Sequence, residues 1–234
     1  MASALDPILE ELAARRGRSS PFLVGVTGAV AVGKSTFAGQ LAEALAPARV
    51  EVVGTDGFLF DNRTLEARGI LGRKGFPESY DTSALARSLA AIRAGPADFP
   101  GYSHAIYDID PALARRIEPP DVLIVEGLGL EAGAAAVGLD VLIYLDAREA
   151  HVEAWFTDRF IDLWRAAEAD PSSFYRRFRA MDEARTRTFA GEVWRAVNLP
   201  NLHEHIAGAR QLADIIVTKG PDHDIIDVAV GDRR

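Results

Sequence analysis

Short apolar runs rich in β-branched residues recur along the chain at residues 22–27, 50–53, 121–125, 140–145 and 214–217. Each is too short for a helix and is bounded by Gly, Pro or Asp, the pattern of strands buried on both faces. Between them the apolar positions change to helical spacing. Ile8, Leu9 and Leu12 do so within 6–16, and Phe37, Ala38, Leu41, Ala42 and Leu45 follow Lys34. Residues 82–93 predict a helix capped by Thr82 or Ser83 and stopped at Gly95-Pro96. Residues 147–167 predict another, with Asp146 as its cap, and 174–195 is mostly helical. Strands alternating with helices predict an α/β fold: a doubly wound, mostly parallel sheet. Residues 61–77 are polar and Gly-punctuated and read as a long surface loop, and 99–117 gives mixed signals. A polar tail is expected after Gly220. No repeat or linker divides the chain, so residues 1–234 are expected to form one domain with loop and helical insertions.

Composition narrows the function classes. The net charge is −8, which argues against a general nucleic-acid or membrane-surface binder, so an anionic ligand would be held by local donors and a metal. Cysteine is absent, which excludes disulfides and thiolate metal sites. The first residues lack the apolar core of a signal peptide, and no apolar run approaches the ~20 residues that span a bilayer. A cytoplasmic protein with a small-molecule partner is expected; a homodimer is compatible with this reading.

The candidate chemistry begins at Gly28-Ala29-Val30-Ala31-Val32-Gly33-Lys34-Ser35-Thr36. This is G-x-x-x-x-G-K-[ST] in its required context, after a strand and opening a helix. Its N–H groups cradle phosphate oxygens, Lys34 reaches the β- and γ-phosphates, and the Ser35 hydroxyl is placed for Mg²⁺. In open parallel sheets ligands bind at the carboxyl ends of strands. Asp56 follows the strand at 50–53, either as a base or metal-shell acid or as an Asx-turn before Gly57. Glu126 ends a Val-Leu-Ile-Val strand, where a metal-shell carboxylate would sit; the alternative is a solvated loop acid. Arg159 falls within the stripe of Val152, Trp155, Phe156, Phe160 and Leu163. It either snorkels to water or pairs with a core carboxylate, or else it is placed over a transferring phosphoryl group, and spacing leaves these open. His104 lies in a polar, aromatic loop with Tyr102 and Tyr107, a composition suited to a small polar acceptor. Arg63, Arg68, Arg73 and Lys74 read as a solvated basic face.

At these residues the chain resembles type I bacterial pantothenate kinases, within the phosphoribulokinase/uridine kinase group of phosphate-loop kinases. The matching segments are the phosphate loop, Thr55-Asp-Gly-Phe-Leu59, Lys74-Gly-Phe-Pro-Glu-Ser-Tyr-Asp81, Tyr102-Ser-His104, Ile106-Tyr-Asp108, Glu126-Gly-Leu128, Arg159-Phe160 and Asn198. The octapeptide from Lys74 discriminates far better than the loop, which many families share. The resemblance implies a P-loop nucleoside triphosphate hydrolase/kinase fold and transfer of the ATP γ-phosphoryl to pantothenate, with Lys34 and Ser35 serving ATP and Mg²⁺. It further implies Asp56 as base, Arg159 on the transferring group, Tyr102, His104 and Asn198 on pantothenate, and Lys219 and His223 at the adenine. Three departures bear on the acceptor more than on the reaction. The segment before Phe22 is shorter than in the family, Phe156 stands where the family has a pantothenate-facing tyrosine, and Gly129 stands where it has asparagine. A uridine or sugar-acid kinase, or a nucleotide-binding regulator without turnover, are the alternatives.

Overall fold

The computed structural model describes residues 4–17, 20–131 and 137–231. Its centre is a six-stranded sheet in the order β10-β9-β8-β1-β7-β2. These strands are β1 (Phe22–Gly28), β2 (Val50–Gly54), β7 (Val122–Glu126), β8 (Val141–Ala147), β9 (Ile215–Lys219) and β10 (Ile225–Val230). All neighbouring pairs run parallel except β10 with β9. Beside it stand two short antiparallel pairs, β3 (Ala97–Phe99) with β6 (Arg115–Ile117) and β4 (Tyr102–Ser103) with β5 (Asp108–Ile109).

The alternation of β1 shows why the sheet is covered twice. Phe22, Val24 and Val26 pack into one apolar cluster with Phe37 and Leu41 of α2 (Lys34–Ala44) and with Ile8 and Leu12 of α1 (Asp6–Arg15). Leu23 points the other way, into a second cluster with Leu85, Leu89 and Ile92 of α4 (Thr82–Ala94). Complete burial of each such side chain contributes ~1.5–3 kcal/mol, and the period of two makes both faces indispensable. The expected doubly wound, mostly parallel architecture is therefore the observed one.

Several local expectations are corrected. The segment after Gly220 is not a plain polar tail: residues 225–230 form β10, an antiparallel edge strand with a register shift between Ile225 and Asp227. The polar stretch 61–77 holds a helix, α3 (Asn62–Ala67), because Asp61 caps it by accepting from the Thr64 N–H at 2.7 Å. Asp81, rather than Thr82 or Ser83, caps α4, accepting from Ala84 N–H. Asp146 does not cap the next helix, α5 (Glu149–Ala166); it is the penultimate residue of β8 and pairs with Arg210 at 2.8 Å. Only Glu183–Val193 of the segment 174–195 is α-helix (α6), preceded by a 3₁₀ turn at Phe174–Phe178 and followed by a π-helical turn at Trp194–Asn198.

Candidate functional site

Parallel strands end on one edge, and the candidate residues gather there. The backbone between β1 and α2 wraps into a concave loop, with Gly28, Ala31 and Gly33 at φ values of 144°, 67° and 88°. The φ of Gly33 is what calls for glycine; a β-carbon there would also sit 2.8 Å from Lys219 Nζ and displace the end of that side chain. Val30 and Val32 anchor the loop to the core, while Ser35 and Thr36 open the first turn of α2 and are exposed. Lys34 Nζ donates to the Gly28 and Ala29 carbonyls at 3.1 and 2.9 Å. Burial pushes its ammonium below the ordinary lysine value, against the opposing pull of the Glu126 and Asp56 carboxylates.

Glu126 ends β7 between Val26 of β1 and Gly54 of β2. Its Oε1 accepts from Ser35 Oγ at 2.8 Å. Burial pushes the Glu126 carboxyl up, opposed by Lys34 and by that hydrogen bond. A solvated loop acid is thereby excluded. The next residue, Gly127, lies so close to Thr55 that a β-carbon would come within 1.9 Å of Thr55 Oγ1. That contact draws the turn carrying Asp56 against the end of β7.

Asp56 lies in a 3₁₀ turn, Thr55–Phe58. Its Oδ1 accepts from the Tyr80 hydroxyl at 3.1 Å, and its Oδ2 lies 3.9 Å from His104 Nε2. The side chain is thus turned into the site and closes no Asx-turn. Asp56, Glu126, Tyr102 and His104 line one cavity of about 220 Å³, with Gly54 and Arg115. Burial lowers the His104 pKa, opposed by Asp56, and raises that of Tyr102; the two rings meet edge to face at 5.1 Å.

Two residues differ from what their sequence surroundings predict. Lys74 is not part of a solvated face: Arg63, Arg68 and Arg73 are exposed, but the Lys74 side chain is only 3% exposed. Its ammonium donates to Asn62 Oδ1 and the Tyr107 carbonyl, both at 2.7 Å, and lies over the Tyr102 and Tyr107 rings. Burial lowers its pKa to about 8, against the pull of Asp108 and Asp56. Arg159, inside an apolar stripe by spacing, is exposed, and no hydrogen bond or ion pair involves it among the described residues. Its charge nevertheless acts on Lys34, His104 and Glu126. The core-paired reading of Arg159 is excluded.

The remaining candidates lie around this centre. Lys219 Nζ donates to the Val32 carbonyl at 3.1 Å, so the end of β9 is tied to the phosphate loop. His223, with φ 63°, stacks on Trp155 of α5 at 3.8 Å, and Trp155 Nε1 donates to the Pro221 carbonyl. Phe156 and Asn198 do not line the cavity. Phe156 packs near Phe160 and Trp194 at ring separations of 6.3 and 5.7 Å, and Asn198 is half-buried in the π-helical turn. Tyr80, Lys74 and Trp155 join the site only in the structure. The signal for the first two was the octapeptide itself, a string too specific to be a mere loop.

The donor set at Ser35 and Glu126, a hydroxyl and a carboxylate oxygen, suits a hard cation such as Mg²⁺ that keeps waters and substrate phosphates as its other ligands. Among the described residues no group of three or more His, Cys, Asp or Glu could hold a metal. No helix among them is long and apolar enough to cross a membrane.

No family model matches the chain. Among curated proteins it is 44% identical to a pantothenate kinase of Streptomyces coelicolor, covering 96% of this chain and 73% of that protein. It is 45% identical to one of Sorangium cellulosum (88% and 71% covered) and 41% identical to one of Streptococcus pneumoniae (92% and 74%). Among solved structures, one from Silicibacter sp. TM1040, named for a fructose transport system kinase, matches at 26% identity and a TM-score of 0.71, covering 91% of this chain and 96% of that one. A D-glycerate 3-kinase of Cryptococcus neoformans shares the fold at 13% identity and a TM-score of 0.67, covering 99% and 100%.

Proposed function

Since the chain belongs to the pantothenate kinase family, and is an ATP-dependent kinase of a hydroxyl-bearing small molecule, we propose that its acceptor is pantothenate. The observation that carries this reading is the convergence of Asp56, Tyr102 and His104 in one cavity with Glu126, beside the phosphate loop.

The geometry supports the following roles. Asp56 Oδ2, the carboxylate oxygen not bound to Tyr80, receives the proton of the acceptor hydroxyl. As the hydroxyl oxygen bonds to the γ-phosphorus, the bond from that phosphorus to the β–γ bridging oxygen breaks and ADP leaves. Lys34 exchanges the Gly28 and Ala29 carbonyls for phosphate oxygens. Arg159, exposed, without a hydrogen bond or ion pair among the described residues and within electrostatic reach of Lys34, offers a planar fork to the transferring group. Ser35 and Glu126 would hold Mg²⁺, which neutralises phosphate charge when bound. Tyr102 and His104 orient the acceptor, and Asn198, outside that cavity on the π-helical turn, offers a further amide to an acceptor that extends beyond it. Lys219 and His223 form the nucleotide's outer wall. A single domain over residues 1–234 and a cytoplasmic location, where ATP is supplied, belong to the same proposal.

Phe156 favours a second reading, another small alcohol as acceptor, because it brings no hydroxyl to the site. ADP release coupled to NADH oxidation, with Mg-ATP and a panel of pantothenate, uridine, cytidine, glycerate and simple sugars, decides between them. Turnover with pantothenate is expected. Turnover with another alcohol and none with millimolar pantothenate would overturn the acceptor and leave the kinase.

A further inference from the structure

The octapeptide at 74–81 contributes a second residue to the centre besides Lys74. Tyr80 is 6% exposed, its ring lies in the main apolar cluster, and its hydroxyl donates to Asp56 Oδ1 at 3.1 Å. We propose that Tyr80 is the positioning residue of the acceptor base: it holds one oxygen of Asp56 so that the other is aimed at the acceptor hydroxyl. The inference rests on the base reading of Asp56.

The rotation that Tyr80 would suppress is a soft one. The terminal torsion of an aspartate is broad and roughly two-fold, so a carboxylate on a short turn does not fix its own orientation. Asp56 sits on such a turn, at the rim of the sheet, and the His104 ring stands off from its other oxygen at 3.9 Å. Tyr80, by contrast, is immobilised from both sides. Its backbone pairs antiparallel with Leu59, and hydrogen bonds from Phe60 N–H to the Ser79 carbonyl and from Asp81 N–H to the Phe58 carbonyl, at 2.9 and 2.8 Å, tie the two segments together. Asp81 is in turn fixed as the cap of α4. Segments 58–60 and 79–81 are thus fastened together, and Tyr80 reaches back over this junction to the turn that precedes it.

The hydroxyl is also suited to a permanent donor. Burial, the Asp56 charge and the hydrogen bond itself all raise its pKa well above that of an ordinary tyrosine, so it keeps its proton while Asp56 gives and takes one. The ring is bounded by Gly129, whose φ of 81° suits glycine and whose β-carbon, if present, would touch the ring at 3.8 Å. One of the three departures from the family therefore lies against the residue that aims the base.

The test is a double-mutant cycle of Tyr80→Phe and Asp56→Asn in the full chain, with kcat and KM for both substrates, ADP affinity by titration, and thermal midpoints. The acceptor is whichever alcohol the panel shows to be turned over, so failure of the pantothenate reading leaves this test intact. Tyr80→Phe should lower kcat about tenfold, with both KM values and ADP affinity within about twofold of wild type. In the Asp56→Asn background it should have no further effect, because residues acting as a unit are non-additive. A 4-aminophenylalanine at position 80 keeps the ring and a donor, and should return kcat to within about threefold of wild type; this arm also serves if Tyr80→Phe does not fold. A full-rate Tyr80→Phe, multiplicative losses in the double variant, or no rescue by the amine would overturn the proposal. A full-rate Asp56→Asn would overturn the base and Tyr80's part together.

Discussion

Arg159 is the residue for which stability and activity should separate most widely. It is exposed on α5 and takes part in no hydrogen bond or ion pair among the described residues. Surface substitutions of that kind change stability by no more than about 0.5 kcal/mol. For a chain of 234 residues this moves Tm by ~2 °C or less. The expected effect on transfer is far larger. Removing one preorganised donor from a developing charge costs ~2.7–4 kcal/mol, or roughly 10²–10³ in kcat. Arg159→Lys keeps the charge but not the fork and should fall in the same direction by about tenfold or more. Because the contact would be made in the transition state, kcat and kcat/KM should fall together while ADP affinity is retained. Steady-state ADP release over a grid of both substrates, with a melting curve on each variant, measures all of this. Near-normal kinetics accompanied by a Tm drop of more than about 5 °C would refute the reasoning and return Arg159 to a structural part.

Three further outcomes follow from the site. Lys34→Ala should lower kcat by about 10² or more while keeping Tm at or above wild type, since the buried ammonium is there at a cost; a clear loss of Tm would contradict that. Lys74 has a folded pKa of about 8 against an ordinary 10.5, so the folded state binds fewer protons between those values and this group's contribution to stability rises with pH across that window. The Tm difference between wild type and Lys74→Met should therefore move in favour of wild type from pH 8 to pH 10, and a flat or falling difference would count against the buried, destabilised cation. Phe156→Tyr should lower KM for pantothenate by up to about tenfold with little change in kcat, as one added neutral hydrogen bond is worth ~0.5–1.5 kcal/mol; an unchanged KM would place that ring outside the acceptor's reach.

The strands and the phosphate loop were legible in the sequence because their signals are local: short apolar runs, and a glycine pattern that the loop's backbone conformation demands. Asp56 and Glu126 were legible because both follow a strand's end, the edge where a parallel sheet binds ligands. What escaped was decided by partners distant in sequence. Lys74 sits three basic residues into a polar stretch, and only the fold shows it over the rings of Tyr102 and Tyr107. Arg159 has core spacing, yet α5 turns it outward. Residues 225–230, Ile-Ile-Asp-Val-Ala-Val, form an edge strand with no side chain fully buried, so their strand character rests on pairing with β9 rather than on a core face that the pattern would show.

The strand order has a consequence for how this enzyme could be retargeted. Glu126 and Lys219 end β7 and β9, and the loop that leads to Lys34 and Ser35 leaves β1; all three are interior strands paired on both sides. Asp56 instead follows β2, the rim of the sheet, and Tyr102 and His104 belong to a short insertion beyond that rim. Mutations that reshape the acceptor pocket therefore disturb pairing along one border only, whereas changes on the nucleotide side must be absorbed by strands on both flanks. Laboratory evolution toward new alcohols should accordingly concentrate its accepted changes at the rim and spare the middle of the sheet.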